Sequence, residues 1–144
     1  AKKSLGQNFL VDKNILTKII SSAKIENKTI FEIGPGTGNL TSYILQKKPK
    51  KIFVIEKDNQ LANDLENKYS NKITIINNDV LKIDETKLFN EKVTVFGNLP
   101  YNISTEILSK WIKNLKNNFW FDCLVFMFQK EVADRIIAEF NTRN

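Results

Sequence analysis

The chain has 144 residues, of which 42% are hydrophobic and 26% charged, a size and composition that suit one globular domain. Its 22 Lys and Arg against 16 Asp and Glu give a formal charge of +6, which indicates either a polyanionic partner such as nucleic acid or an ordinary lysine-coated surface. It has no His and one Cys, Cys123, which excludes an intrachain disulfide and a Ser-His-Asp or Cys-His mechanism and predicts that no metal is bound.

The start of the chain bears on location and on charge. No apolar run of about 18 residues is present, so we predict no transmembrane helix and no membrane association. The N-terminus has no apolar signal-peptide core, which favours a cytoplasmic protein. Residues 1–28 carry six Lys against Asp12 and Glu26, so a charge-driven contact is expected to involve this segment.

Strands and helices alternate along the sequence. Apolar spacing and capping residues predict helices over residues 12–24, 39–47, 58–69, 104–115 and 130–140. Short apolar runs predict strands over 29–33, 51–56, 72–77, 92–97 and 122–128, and residues 80–91 are predicted to form a loop. Because these runs are apolar at successive positions, they indicate an α/β fold with a mostly parallel sheet of about five strands and helices on both faces.

Polar or glycine-rich residues follow the first four predicted strands. In such a sheet, ligands bind beyond the carboxyl ends of the strands. The first strand runs into residues 32–38, and Glu56, Asp79 and residues 98–101 follow the next three, about one strand-helix unit apart. We therefore expect all four ends to lie at one edge of the sheet and to form a single site.

Residues 34–38 read Gly-Pro-Gly-Thr-Gly, and their glycines allow a tight turn and a close approach of a ligand to the backbone. The spacing differs from the G-x-G-x-x-G of dinucleotide enzymes, which disfavours an NAD dehydrogenase. Together with the preceding Glu32, it resembles motif I of S-adenosylmethionine (SAM) methyltransferases. That resemblance implies SAM as cofactor, with Glu32 helping to hold its ammonium; the alternative is a purely structural turn.

Two acids after the second and third strands suit a nucleoside. Glu56 can accept hydrogen bonds from both hydroxyls of a ribose, as in nucleotide-binding α/β folds. Asp79 can accept one from the exocyclic amine of adenine, with the Val80 amide near the ring nitrogen. The alternatives are a solvated acid at a strand end for Glu56 and a turn-forming residue for Asp79.

Residues 98–101, Asn-Leu-Pro-Tyr, resemble the [DN]-P-P-[YF] motif of methyltransferases that modify an exocyclic amine. The side-chain carbonyl of Asn98 and the backbone carbonyl of Pro100 can accept the two N6 hydrogens of adenine. Tyr101 can stack on a flipped base. Since a sulfonium methyl is already activated, transfer requires positioning more than acid-base catalysis, which fits a chain without His.

Four segments, residues 6–10, 32–38, 96–104 and 128–135, are similar in order and spacing to the KsgA family of ribosomal RNA adenine dimethyltransferases. The resemblance implies a Rossmann-like class I fold and transfer of methyl groups from SAM to N6 of two adjacent adenosines of small-subunit (16S) rRNA. The expected partner is the pre-30S particle, bound by a monomer during ribosome biogenesis. The resemblance implies that Gln7, Asn8 and Leu10 close over SAM, with Asn8 and Leu10 as direct contacts. The remaining contacts that it implies are Gly34, Glu56, Asp79 and Asn98, and Gly36 of the glycine loop is also expected to bind the cofactor.

The family pattern also carries expectations about domains and alternatives. Residues 1–144 are expected to be a catalytic core without the family's last two strands and C-terminal helical domain, and residues 1–28 to close over SAM. One alternative is the large-subunit (23S) adenine methyltransferase of macrolide resistance, against which Leu99 and residues 129–132 argue. The other is a non-catalytic RNA-binding or assembly factor, against which the intact Glu56, Asp79 and residues 98–101 argue.

Two further features are expected to be structural. Residues 47–51 (Lys-Lys-Pro-Lys-Lys) are predicted to be a solvated loop at the edge of the sheet opposite the site. Trp111, Phe119, Trp120 and Phe121 are predicted to pack in the core and not to stack on bases.

Overall fold

The computed structural model describes residues 13–115, 119–128 and 135–139. Within these ranges the helices are α1 (Lys13–Ser21), α2 (Asn39–Gln46), α3 (Asn59–Tyr69) and α4 (Tyr101–Leu115). The strands are β1 (Thr29–Ile33), β2 (Lys51–Ile55), β3 (Thr74–Ile76), β4 (Val93–Leu99), β5 (Phe121–Phe128) and β6 (Arg135–Glu139). Short 3₁₀ turns cover Ser70–Lys72, Val80–Lys82 and Glu85–Lys87.

The strands form one sheet in the order β3-β2-β1-β4-β5-β6, in which β1 to β5 are parallel. All five residues of β1 are buried, as expected for a central strand with helices on both faces. The strand order turns back between β1 and β4, and this is the place where open α/β sheets bind ligands. The predicted α/β architecture is confirmed.

The predicted helix over residues 130–140 is wrong at residues 135–139. These residues form β6, which pairs antiparallel with β5. A strand at the edge of a sheet leaves backbone donors and acceptors unpaired, and β6 supplies partners for those of β5. The two β-branched residues Ile136 and Ile137 suit an extended chain. The apolar spacing of this segment suits a helix, but it does not show that the edge of β5 is free to pair with these residues.

Two apolar clusters cover the two faces of the sheet. Neighbouring residues of β1 enter opposite clusters, Ile30 on one side and Phe31 on the other. The second cluster contains Trp111 and Trp120, whose rings meet edge to face with centroids 4.8 Å apart. Trp111 is 2% exposed, and Phe121 is also buried. The prediction of core packing is confirmed for Trp111, Trp120 and Phe121, whereas Phe119 is half-buried and meets the ring of Phe121 at the margin of the cluster.

The lysine-rich residues 47–51 lie at the start of β2, at the edge opposite the carboxyl ends of the parallel strands. Lys50 Nζ donates to Glu91 Oε2 across 3.0 Å, in a pair with both side chains about half exposed. The predicted surface loop is confirmed. Among the residues that the structure describes, no helix combines the length and apolarity required to cross a membrane.

Candidate active site

A cavity of about 320 Å³ lies beyond the carboxyl ends of β1, β2, β3 and β4. It brings together eight residues predicted from the sequence, namely Glu32, Gly34, Gly36, Glu56, Asp79, Val80, Asn98 and Pro100. Tyr101 follows at the first residue of α4 and is 49% exposed. The expected convergence of four strand ends is confirmed. Gln7, Asn8 and Leu10 lie outside the described residues.

The glycine loop after β1 needs its glycines for two different reasons. Gly34 and Gly36 have φ angles of 62° and 59°, in the left-handed region that other residues avoid. A Cβ on Gly34 would collide with Cδ2 of Leu99, so Leu99 packs directly on the loop. A Cβ on Gly36 would meet nothing within 4 Å. The loop therefore exposes bare backbone to the cavity at Gly36.

Glu32 places a buried carboxyl at the cavity wall. It is 1% exposed, and Oε1 accepts a hydrogen bond from Thr41 Oγ1 at the start of α2. Burial raises the pKa of Glu32 to about 7, with a contribution from the charge of Glu56, while the Thr41 hydrogen bond opposes the shift. A ligand cation at this position would favour the ionised form and would itself be stabilised by it.

Glu56 is held by backbone amides of two loops. Oε1 accepts from the Gly36 amide at 3.3 Å, and Oε2 accepts from the Asp58 amide at 3.0 Å. Burial raises the pKa of Glu56, and these two hydrogen bonds oppose the shift. Each carboxylate oxygen can accept a second hydrogen bond, so this fixed group can bind two hydroxyl donors at the end of β2.

Asp79 forms a turn and also lines the cavity. Its Oδ1 accepts a hydrogen bond from the Leu81 amide at 3.0 Å and so caps the Val80–Lys82 turn. Asp79 therefore has the turn-forming role that was the alternative interpretation of this residue. Its Oδ2 lies 3.6 Å from Nζ of Lys57. The Lys57 side chain is 78% exposed, so this ion pair is weak. Val80, next in the chain, is buried against the cavity.

Residues 98–101 join the end of β4 to the start of α4, which begins three residues before the predicted position. The Pro100 carbonyl accepts from the Ser104 amide at 3.0 Å, a hydrogen bond of the first turn of the helix. A carbonyl oxygen has two lone pairs, so this bond is compatible with a second donor. The helix thereby fixes the direction of the carbonyl beside Asn98.

Three supporting residues were missed from the sequence. Thr41 binds Glu32, and Lys57 pairs with Asp79. The third is Tyr69 at the end of α3, whose hydroxyl donates to the Gly38 carbonyl at 2.9 Å. Thr41 could have been identified from the sequence, because a hydroxyl in the first turn of the helix after the glycine loop can reach the carboxyl before that loop. Nothing local marks Tyr69, which lies 31 residues from its partner.

The described residues contain no group of three or more His, Cys, Asp or Glu arranged to hold a metal ion. The donors around the cavity are carboxylates, amides and backbone groups, set among apolar walls that include Leu16, Leu61 and Ile107. Such a mixture suits an organic ligand that carries hydroxyls and a cationic end.

Comparison with known proteins gives matches along the whole chain. The family model for ribosomal RNA adenine dimethylase matches residues 1–144. The ribosomal RNA small subunit methyltransferase A of Pelagibacter ubique (strain HTCC1062) is 65% identical over 144 residues, which are 100% of this chain and 55% of that protein. The chain thus spans about half the length of this curated relative.

Two solved structures share the fold. The crystal structure of the 23S rRNA methyltransferase ErmE matches with a TM-score of 0.70 and 26% identity over 86% of this chain and 49% of that one. A dimethyladenosine transferase from Plasmodium falciparum matches with a TM-score of 0.68 and 33% identity, over 85% and 43%. The class I methyltransferase fold predicted from the sequence is confirmed, and the chain belongs to the ribosomal RNA adenine dimethylase family.

Proposed function

We propose that the protein transfers methyl groups from SAM to N6 of two adjacent adenosines in small-subunit rRNA. The observation that carries this proposal is the meeting of residues 98–100 with Glu32, Glu56 and Asp79 at one cavity. The name of the Pelagibacter relative supports a small-subunit substrate. The ErmE structure makes the large subunit the competing substrate to be tested.

The residues of the cavity fit SAM. Its volume of about 320 Å³ is within the usual range for a small-molecule site. Glu32 would face the ammonium of the amino acid end, and Glu56 the ribose hydroxyls. Asp79 and Val80 would contact adenine, with bare backbone at Gly36 beside the ligand. When bound, SAM supplies a methyl group that its sulfonium activates.

Residues at the junction of β4 and α4 would hold the target base. The Asn98 side-chain carbonyl and the Pro100 carbonyl would accept the two N6 hydrogens, which orients the amine and favours a more tetrahedral nitrogen. Tyr101 is 49% exposed, so its ring is accessible to a base that arrives from outside. This chemistry depends on orientation of the amine and requires no imidazole.

Several finer properties belong to the same proposal. We propose a pre-30S particle as the partner, a monomer as the active form and the cytoplasm as its location. We also propose that residues 1–28 cover the cofactor. The side chain of Leu16, on α1, lines the cavity and supports this role. The positive charge of residues 1–28 would attract the phosphate backbone of the rRNA substrate.

The proposed function is tested with a chimera in which this sequence is joined to the remaining part of the Pelagibacter relative. Asn98→Ala, which also removes one of the expected SAM contacts, is expected still to bind SAM by calorimetry, with a dissociation constant raised by no more than about tenfold. It is expected to lower methyl transfer to 30S subunits by about a hundredfold or more, since the amine loses its side-chain acceptor. Asn63→Ala, on the exposed face of α3, is the control and should leave both quantities unchanged.

Three results would contradict the proposal. Undiminished transfer by Asn98→Ala would remove the role of Asn98. Transfer by the unsubstituted chimera to 50S and not to 30S subunits would favour the large-subunit alternative. A chimera that binds 30S subunits but no SAM would favour a non-catalytic RNA-binding factor.

A further inference from the structure

The loop between β3 and β4 has little regular structure of its own. It contains two single 3₁₀ turns, Val80–Lys82 and Glu85–Lys87. Turns of this length satisfy few of their backbone groups internally, so the loop depends on side chains from elsewhere for its conformation. The first of these turns follows Asp79 directly and forms one wall of the cavity.

Lys110 of α4 supplies several of these contacts. Its Nζ donates to the carbonyl of Val80 and to the carbonyl of Ile83, both at 2.6 Å, and to Oε2 of Glu85 at 3.1 Å. An ammonium group has three hydrogens, so each can have its own acceptor in the loop. These bonds are charge-assisted and therefore stronger than neutral ones.

The ion pair is anchored in the core. The side chains of Lys110 and Glu85 are 18% and 5% exposed. Glu85 Oε2 also accepts from Nε1 of Trp111 at 2.7 Å, so two consecutive residues of α4 converge on one carboxylate. Removal of one member of such a buried pair leaves an uncompensated charge, unlike the loss of an exposed pair. We name Lys110, Glu85 and Trp111 the α4 clamp.

The α4 clamp connects the two sides of the cavity. At one end, Lys110 Nζ donates a hydrogen bond to the carbonyl of Val80. Val80 follows Asp79, whose carboxylate is proposed to bind adenine and lines the cavity. At the other end is helix α4, which carries Lys110 and begins at Tyr101, the residue proposed to stack on the target base. We propose that Lys110 is a positioning residue that holds the Asp79–Val80 wall in the conformation that binds the cofactor. This inference rests on the proposed function, because it assumes that SAM occupies the cavity.

Calorimetric titration of this chain with SAM separates positioning from a merely structural role. Lys110→Met keeps the length of the side chain and removes the ammonium. The expected result is a dissociation constant raised about tenfold, the equivalent of one charge-assisted hydrogen bond, with an unchanged number of binding sites per chain. A merely structural role would lower the number of competent sites and leave the dissociation constant unchanged, which would overturn the proposal.

Two further variants complete the experiment. Lys113→Met, three residues further along α4 and exposed, is the matched control and should bind SAM as the unsubstituted chain does. If Lys110→Met does not fold, Glu85→Gln decides, since it retains an acceptor for Trp111 and removes the charge that faces Lys110. A dissociation constant raised by at least about threefold supports the proposal, and a smaller rise overturns it.

The outcome also distinguishes this proposal from the proposed function. If the unsubstituted chain binds no SAM, the proposed function fails, and the positioning role fails with it. If the unsubstituted chain binds SAM and Lys110→Met binds it equally well, only the role of Lys110 is overturned.

Discussion

Replacement of Glu32 by Gln is expected to stabilise the ligand-free protein and to weaken SAM binding. Glu32 is 1% exposed, and burial raises its pKa from 4.5 to about 7. One unit of pKa difference between the folded and unfolded states corresponds to about 1.4 kcal/mol. The ionised carboxyl therefore costs the folded state about 3 kcal/mol near pH 8.

The sign follows from the state that holds the proton more tightly, which for Glu32 is the folded one. Its favourable contribution is complete below a pH of about 4.5 and is lost as the pH rises through about 7. Glu32→Gln removes this titration and keeps an oxygen that can accept from Thr41. The variant should therefore exceed the native protein in stability by about 3 kcal/mol near pH 8, and the difference should approach zero near pH 4.5.

Urea unfolding at a series of pH values, without and with SAM, measures both effects. Without SAM, the two stability curves should diverge as the pH rises. With SAM, the native protein should gain more stability than the variant, because only the native carboxylate can pair with the ligand ammonium. Glu66→Gln, on the exposed face of α3, is the control and should follow the native curve. A variant that is less stable at pH 8, or a difference that does not change with pH, would refute the reasoning.

The remaining predictions concern the glycine loop. Gly34→Ala should destabilise the protein by the ~1–2 kcal/mol of left-handed strain and by the further cost of displacing Cδ2 at the end of the Leu99 side chain. Gly36→Ala carries the same strain without a collision, so it should be the more stable of the two variants in urea. It should also lose SAM affinity in calorimetry. Equal stabilities of the two variants would contradict the packing of Leu99 on Gly34. Tyr69→Phe removes the donor to the Gly38 carbonyl and also the hydrogen-bond partner of Ser42 Oγ, and should cost about 1–2 kcal/mol in urea unfolding. An unchanged midpoint would show that these two hydrogen bonds contribute nothing.

The fold could be predicted from the sequence where a local pattern of residues determines the secondary structure. β1 and β2 could be predicted because strands buried on both faces are apolar at successive positions. The cavity could be predicted because strand ends in a parallel sheet share one edge, so Glu56 and Asp79 had to approach the glycine loop.

Features that depend on distant partners could not be predicted in this way. Residues 135–139 have a spacing that suits a helix, and the open edge of β5 makes them a strand. The contact between Lys110 and Glu85 joins residues 25 apart, with β4 between them, and Glu85 lies in a loop without periodicity. Sequence alone shows a lysine on an amphipathic helix, and most such lysines are solvated. Only the packing of α4 against the loop gives Lys110 its acceptors.

The central claim is that the cavity at the carboxyl ends of the strands binds SAM in one defined orientation. A crystal structure of this chain with SAM tests it most directly. We predict the ribose hydroxyls at Glu56, the adenine at Asp79 and Val80, and the ammonium towards Glu32. A reversed ligand, or SAM bound outside this cavity, would contradict the account.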